Sequence, residues 1–197
     1  MYRLLETIKV LNKTLQNTEL HNTRMNSTRR ELFGSSDYID LNNYINFPEH
    51  LRNNIYKCRV IYSENIETVE FHPYTIKPVR TLQLIERDTL DYKYKYLDRN
   101  VFDELLQQTK CDDILIVKHK LITDTSYSNI VFYNGKKWIT PATPLLCGTK
   151  REYLLRAGKI VEMEISIKDL KLFEKAALIN SMIDLEESPI IEIQNIY

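Results

Sequence analysis

A charged, tyrosine-rich stretch in the middle of the chain, RDTLDYKYKYLDR at residues 87–99, interrupts the apolar periodicity on both sides of it. A break of this kind is typical of a connector between two folded domains. A chain of 197 residues, 43% of them apolar, has enough material for two such domains. We therefore predict a small N-terminal α+β domain at residues 1–87, a connector at 88–95 and a larger, strand-rich C-terminal domain at 96–197.

The N-terminal half combines strand-like alternation with one helix-like segment. Gly34 follows this segment, and glycine readily adopts the left-handed conformation that ends many helices. The segments on either side of Asn65 alternate polar with apolar residues, as hairpin strands with one buried face do. The predicted elements are a strand at 2–10, a helix at 18–33, hairpin strands at 56–63 and 66–74, and a third strand of the same unit at 76–86.

The C-terminal half predicts mostly strands. Residues 99–109 place apolar side chains on one helical face and precede the apolar run ILIV, which is typical of a buried strand. Asn134-Gly135 is a strong hairpin signal because both residues tolerate positive φ. A loop enters a second helix at Gly148-Thr149, and the free N–H groups of a helix start favour an anion.

Charge and cysteine content exclude several functional classes. The 27 basic side chains balance the 27 acidic ones, so no global field favours nucleic acid or an anionic membrane. No segment approaches the roughly 20 apolar residues that span a bilayer. Cys58, Cys111 and Cys147 form no CxxC pair, and we expect three buried thiols in a reducing cytoplasm. Neither the cysteines nor the four histidines show metal-ligand spacing, so we predict no metal site.

Several short motifs in a fixed order carry a resemblance to a known family. They are K-x-L-D-R at 95–99, T-D-T-S-Y-S-N at 123–129, T-P at 140–141, G-T-K-R at 148–151 and N-S-M at 180–182, with E-T-I-K-V and H-x-x-R near the N-terminus. This order is similar to that of fold-type IV (class IV) enzymes, which use pyridoxal 5′-phosphate (PLP). The resemblance implies their α+β fold: a small N-terminal domain and a larger, strand-rich pseudo-barrel domain.

The resemblance also implies two residues at the reactive end of the cofactor. Lys95 matches the family's Schiff-base lysine, with Lys93 as a nearby competitor. Without the motif, this stretch would be a solvated basic linker. Asp124 falls where most family members have glutamate, whose charge keeps the pyridine nitrogen protonated. The alternative for Asp124 is an Asx turn between two strands.

The phosphate and the substrate are expected to meet a second set of residues. Gly148 and Thr149 offer a helix start and a hydroxyl, Ser181 offers another donor, and Arg24 matches a family arginine that contacts the phosphate. Arg24 would otherwise be an exposed helix charge. Arg59 resembles a strand arginine that meets a substrate carboxylate, although a salt bridge on the strand face explains it equally well.

Three functions from different classes follow from the resemblance. The first is a lyase that converts 4-amino-4-deoxychorismate to 4-aminobenzoate and pyruvate, a step toward folate, coupled to the upstream aminodeoxychorismate synthase. The second is an aminotransferase for branched-chain or D-amino acids. The third is an inactive family member that acts as a binding module, because the sequence lacks the N-terminal hairpin usual in the family. We favour the lyase, since the run after Lys95 is more lyase-like, and we expect a homodimer.

Overall fold

The computed structural model describes residues 2–49, 51–52 and 54–197 of the chain. The chain divides into two compact units, and each is considered by itself. Unit 1 consists of Met1–Thr75 and Tyr94–Asp98, and unit 2 consists of Ile76–Lys93 and Arg99–Tyr197. Both units combine strands with few helices, so the predicted mixed α+β class is confirmed.

Unit 1 is built on an antiparallel sheet with the strand order β2-β1-β3-β4. Its elements are β1 (Leu4–Leu11), β2 (Thr14–Leu15), α1 (Thr18–Phe33), α2 (Leu41–Tyr44), β3 (Ile55–Tyr62) and β4 (Ile66–Pro73). The segment Tyr94–Asp98 runs along β1: the Leu5 N–H donates to the Lys95 carbonyl at 2.9 Å, and the Leu97 N–H to the Arg3 carbonyl at 2.8 Å. Backbone hydrogen bonds therefore attach Lys95 to β1.

The two faces of this sheet differ in chemistry. One face lies in an apolar core with Met25 of α1, and its buried members are Leu4, Ile8, Val10, Cys58, Val60 and Tyr62. Successive side chains in a strand point to opposite faces. The odd-numbered residues of β1 and β3 therefore face away from α1, and among them are Lys9, Lys57 and Arg59.

Unit 2 carries a larger, mixed sheet. Its main path runs β10-β9-β8-β7-β6-β5, and β11 pairs with β8 and β12. The β5–β6 and β9–β10 pairs are parallel and the others are antiparallel. The elements are β5 (Leu82–Glu86), α3 (Asn100–Gln107), β6 (Asp113–Lys118), β7 (Leu121–Thr125), β8 (Asn129–Tyr133), β9 (Trp138–Pro141), α4 (Thr149–Arg156), β10 (Ile160–Met163), β11 (Lys175–Ile179) and β12 (Ile190–Glu192).

Both faces of the central strands of unit 2 are buried. Ile130 and Phe132 of β8 lie in one apolar cluster, whereas Val131 packs in a second cluster with Leu154 of α4. A strand that is buried on both faces holds the polar groups at its ends in fixed positions. The residues of β7, β8 and α4 that carry the candidate site lie at such ends.

The locally encoded elements match the sequence predictions. The first helix spans Thr18–Phe33, and Gly34 ends it with φ 70°. The hairpin predicted at Asn134-Gly135 joins β8 and β9, and Tyr133 contacts Trp138 with ring centroids 5.2 Å apart. These elements are set by neighbours in sequence, so periodicity and turn residues suffice to find them.

The predicted strand at 76–86 was wrong in extent and in partner. The strand covers Leu82–Glu86 alone, and it pairs in parallel with β6 of unit 2 instead of extending the sheet of unit 1. Pro78 cannot donate a ladder hydrogen bond, and Leu82 is buried in the main core of unit 2. The domain ranges 1–87, 88–95 and 96–197 stay a prediction; the compact units divide at Thr75 and take Tyr94–Asp98 into unit 1.

The cysteine prediction was correct for one residue of three. Cys58 is buried, but Cys111 is half-buried and Cys147 is exposed. Cys147 lies in the loop before α4, where the chain turns at the surface and an apolar side chain need not be covered. Among the described residues, no helix has the length and the apolar character that crossing a bilayer would require.

Candidate active site

A buried carboxylate lies at the closed end of the β7–β8 hairpin. Asp124 is opposite Asn129 in the pairing of the two strands, and it is 5% exposed. The Asn129 side-chain amide donates to Asp124 Oδ1 at 2.7 Å, and the Leu146 N–H donates to Oδ2 at 2.9 Å. The two donors are five and 22 residues away in sequence, so these contacts do not form an Asx turn.

The electrostatic state of Asp124 follows from its surroundings. Burial raises the pKa of Asp124 to about 6, against the lowering effect of hydrogen bonds from Leu146 and Asn129 and of the Arg151 charge. A buried carboxylate with such a pKa is mostly ionised at pH 7, and a cationic partner would hold it ionised. Asp124 is therefore suited to face a protonated pyridine nitrogen.

The start of α4 lies against this carboxylate. Gly148 is the N-cap of the helix, and an added Cβ there would overlap the Asn129 Oδ1 atom. Thr149, the first helical residue, is 5% exposed. The Gly148 carbonyl accepts from the Glu152 N–H at 3.0 Å, and this is the first hydrogen bond of the helix. The backbone amides before Glu152 therefore point out of the helix start, as at any helix N-terminus. A helix start with such amides favours a dianion such as a phosphate.

Two contacts bring the predicted Ser181 to the same end of unit 2. The Asn180 side chain donates to Ser128 Oγ at 2.8 Å, beside Asn129 in sequence. Lys150, the second residue of α4, forms an ion pair with Asp184 beyond the Ser181 turn. The structure thus gathers Asp124, Gly148 and Thr149 and places the turn that contains Ser181 next to them.

In unit 1, the predicted Arg24 belongs to a buried polar cluster. Arg24 donates to both carboxylate oxygens of Glu6, at 2.9 and 2.5 Å, and His21 Nδ1 lies 2.6 Å from Glu6 Oε2. Glu6 and His21 are almost fully buried, and Arg24 is 17% exposed. Arg24 is therefore not the exposed helix charge that the sequence left open, and its phosphate contact stays a prediction.

The charges of this cluster are mutually dependent. Burial alone would raise the pKa of Glu6, but the Arg24 charge and the hydrogen bonds from His21 and Arg24 outweigh it and lower the pKa to about 2. Burial lowers the pKa of His21, opposed by Glu6, and the charges of Arg24 and Lys95 lower it further. Lys95 is thus close enough to the cluster for its charge to act on His21.

Lys95 lies between two tyrosines that pack against the core of unit 1. The rings of Tyr94 and Tyr96 on either side of it meet at 6.0 Å and pack against the core of unit 1, and the Tyr94 hydroxyl donates to Glu31 of α1 at 2.8 Å. The backbone turns tightly at Lys95, where the Tyr96 N–H donates to the Tyr94 carbonyl at 2.9 Å. Lys9, Lys57 and Arg59 lie on the face of the sheet opposite α1, and we call these three residues the cationic face.

Arg59 already has an acidic partner. Its Nη1 lies 2.9 Å from Glu70 Oε2 on the neighbouring strand β4, and His72 contacts the same oxygen at 3.2 Å. The strand-face salt bridge considered from sequence is therefore present. Arg59 is still about 29% exposed, and an exposed ion pair contributes little. Its contact with a substrate stays a prediction.

Sequence reasoning missed two residues that shape this site. Asn129 lies in the motif at 123–129, but the motif does not predict its contact with the Leu146 carbonyl, at 2.9 Å, which joins residues 17 apart. Glu6 lies in the E-T-I-K-V motif, which likewise does not predict its contacts. Its position between Leu4 and Ile8 on one face of a strand was a signal, since a charge among apolar neighbours requires a buried partner.

The donor set fits PLP in chemistry. Unit 2 holds a buried carboxylate for the ring nitrogen and a helix start for the phosphate, and unit 1 holds the lysine that the family motif singles out. The overlap that a Cβ at Gly148 would create shows that this loop is closely packed around the carboxylate.

Comparisons with known proteins identify the family. The model of the class IV amino-transferase family matches residues 66–192. The chain belongs to the class IV aminotransferase family. It is 39% identical to an uncharacterized protein of Haemophilus influenzae over 185 residues, which are 92% of this chain and 98% of that protein. Its fold is accordingly that of fold-type IV PLP enzymes.

Two named relatives are similar to the chain. A crystal structure of a "putative 4-amino-4-deoxychorismate lyase" from Haemophilus somnus matches with a TM-score of 0.85 and 32% identity, over 92% of this chain and 97% of that one. The aminodeoxychorismate lyase of Saccharomyces cerevisiae is 37% identical over 81 residues, 38% of this chain and 22% of the yeast protein. Membership in this enzyme family implies PLP as the cofactor.

Proposed function

We propose that this chain is a PLP-dependent lyase that converts 4-amino-4-deoxychorismate to 4-aminobenzoate and pyruvate. The likeness to the Haemophilus somnus protein over nearly the full length of both chains supports this choice. Coupling to an upstream aminodeoxychorismate synthase, a homodimeric assembly and a cytoplasmic location belong to the same proposal.

The cationic face is the observation that carries the choice of substrate. Lys9 is opposite Lys57, and Arg59 is two pairs further along β1 and β3, on the same face of the sheet. The proposed substrate bears two carboxylates, whereas a branched-chain amino acid bears one carboxylate and an apolar side chain. Adjacent cations suit a dianion, even though Glu70 shares Arg59. We therefore assign the substrate carboxylates to Arg59 and Lys57.

The residues of the chain have distinct tasks in this reaction. When bound, PLP supplies a ring that withdraws electrons from an attached amino substrate. Asp124 would accept a hydrogen bond from the protonated ring nitrogen and so would keep the ring positive. The amides of Gly148 and Thr149 would hold the phosphate.

Lys95 moves the proton. Its Nζ takes the hydrogen from the substrate carbon that bears the amine, the ether bond to the enolpyruvyl group breaks, and the six-membered ring becomes aromatic. A proton then goes to the methylene carbon of the released enolpyruvate, which becomes pyruvate. Atoms and electrons balance without water or an oxidant.

Product formation tests the proposal directly. The purified protein with PLP, aminodeoxychorismate synthase, chorismate and glutamine is expected to release 4-aminobenzoate, and Lys95→Ala is expected to release none. Arg59→Gln and Lys57→Gln should each raise KM by about tenfold, because each removes a charge-assisted hydrogen bond. Lys171→Gln, at an exposed position of unit 2, is the matched control and should leave KM unchanged.

Other outcomes point to the alternative functions. A colour change of the bound cofactor on mixing with a single amino acid, together with keto acid release and no 4-aminobenzoate, would establish an aminotransferase. Failure of borohydride to fix the cofactor on Lys95 would instead support an inactive binding module. Either result would overturn the lyase proposal.

A further inference from the structure

Asn129 lies between two parts of the candidate cofactor site in unit 2, the Asp124 carboxylate and the start of α4 at Gly148. Its Nδ2 donates both to Asp124 Oδ1 at 2.7 Å and to the Leu146 carbonyl at 2.9 Å. The Leu146 N–H returns to Asp124 Oδ2 at 2.9 Å. The three residues thus form a closed ring of hydrogen bonds, and Asn129 is only 6% exposed.

These contacts fix the orientation of the Asn129 amide. A carboxylate and a carbonyl can only accept hydrogen bonds, so the atom between them must be the nitrogen of the amide. The Oδ1 atom then points the other way, toward Gly148, where an added Cβ would overlap it. The amide therefore lies between the Asp124 carboxylate and the start of α4.

Gly148 does not need to be a glycine for its backbone conformation. Its φ of −71° and ψ of 142° are accessible to any residue. The missing Cβ is required by space alone, and the occupant of that space is Asn129 Oδ1. Gly158, at the other end of α4, is the opposite case: its φ is +64°, and a Cβ there would have no heavy atom within 4 Å.

We propose that Asn129 is a positioning residue that sets the separation between the Asp124 carboxylate and the helix start at Gly148. The inference rests on the proposed function, in which these two groups bind opposite ends of PLP. Asn129 touches neither the reacting atoms nor the phosphate in this role. It acts through Asp124 and Gly148, so a change at position 129 would alter the contacts at both ends of the cofactor.

The decisive test is whether a second substitution suppresses the first. Gly148→Ala alone should weaken PLP binding to the apo protein by about tenfold or more, because the new methyl group displaces the Asn129 amide. In an Asn129→Ala background the same change should cost less than about threefold, because the space is then free. Gly158→Ala is the matched control, and its effect should be the same in both backgrounds.

A second readout separates positioning from general packing. Asn129→Ala removes a donor from Asp124, so protonation of this carboxyl should begin at a higher pH; Arg151 is the charged group that acts on Asp124 in both proteins. Spectroscopic titration with PLP from pH 8 to 5 should show affinity falling at a higher pH in Asn129→Ala than in wild type. Thermal unfolding of the apo proteins, followed in parallel, reports packing alone.

Each result decides the matter. An equal cost of Gly148→Ala in both backgrounds would overturn the spatial argument. A wild-type protein that binds PLP while Asn129→Ala shows the same affinity and pH profile would overturn the positioning role and leave the lyase proposal intact. A wild-type protein that takes up no PLP would overturn both, although the coupling between positions 129 and 148 would still be visible in the unfolding midpoints.

Discussion

Replacement of Glu6 by glutamine tests the electrostatics of unit 1 most directly. Glu6 is fully buried and is held by Arg24 and His21. Its pKa falls from the ordinary 4.5 to about 2 despite burial. Each pKa unit corresponds to about 1.4 kcal/mol, so ionised Glu6 contributes about 3 kcal/mol to the free energy of unfolding. Loss of one member of a buried pair costs about 3 to 5 kcal/mol, in agreement.

The sign of the pH dependence follows from the lowered pKa. Between pH 4.5 and 2 the unfolded chain binds the Glu6 proton and the folded chain does not. The stabilisation is therefore complete above pH 4.5 and disappears as the pH falls toward 2. The difference in unfolding free energy between wild type and Glu6→Gln should follow the same course, from about 3 kcal/mol near neutral pH toward zero in acid.

Urea unfolding of the apo protein measures this difference. Hydrogen exchange of the α1 amides reports unit 1, and the fluorescence of Trp138, the single tryptophan, reports unit 2. Glu19→Gln, at an exposed position in the first turn of α1, is the matched control and should change the free energy of unfolding by less than about 0.5 kcal/mol. A cost for Glu6→Gln below about 1 kcal/mol at pH 7.5, or an equal cost at pH 7.5 and pH 3, would refute the reasoning.

Three further predictions concern stability and pH. Arg29→Met should lower the free energy of unfolding by about 3 kcal/mol, because the 1% exposed guanidinium donates to Asn26 Oδ1 and to the Glu64 and Asp37 carbonyls, which would lose this donor. Arg30→Met, on the exposed side of the helix, should cost under about 0.5 kcal/mol in the same urea titration. Gly34→Ala should cost about 1 kcal/mol from its positive φ alone, since the position is open, and no change in the thermal midpoint would contradict this. In the apo protein, the raised pKa of Asp124 means that the folded chain retains this proton between pH 3.8 and about 6, so stability should fall by about 3 kcal/mol as the pH rises through that interval. Asp124→Asn should lack that part of the slope, and an identical pH profile would argue against a buried carboxyl.

Elements set by neighbours in sequence could be predicted from the chain, and pairings across long separations could not. The helix that ends at Gly34 and the turn at Asn134-Gly135 depend on a few adjacent residues. The partner of β5 depends on β6, about thirty residues later, and periodicity carries no information on which sheet a strand joins.

The same distinction applies to the candidate site. Motif order located Asp124 and Gly148, because each lies in a short, recognisable run. It could not reveal that Asn129 lies between them, since the contact requires the loop at Leu146 to fold back on the hairpin. Nor could it reveal the buried Glu6, whose partners lie 15 and 18 residues away on α1.

The position of Lys95 is constrained from two sides. Upstream, the backbone of Tyr94–Asp98 belongs to unit 1, where Lys95 pairs with Leu5 of β1. Downstream, Arg99 belongs to unit 2 and donates to the Ser126 carbonyl at 2.7 Å, in the hairpin turn that begins just after Asp124. Four residues of extended chain span at most about 14 Å, so covalent geometry alone keeps the Lys95 backbone within that distance of the Arg99 backbone.

This short segment connects an anchor in unit 1 to an anchor in unit 2. An insertion of one residue between Tyr96 and Arg99 would leave the pairing with β1 in place and lengthen the link to the hairpin that carries Asp124. Lys95 and Arg99 are thus four residues apart, with Lys95 held by β1 in unit 1 and Arg99 held by the hairpin of unit 2 that carries Asp124.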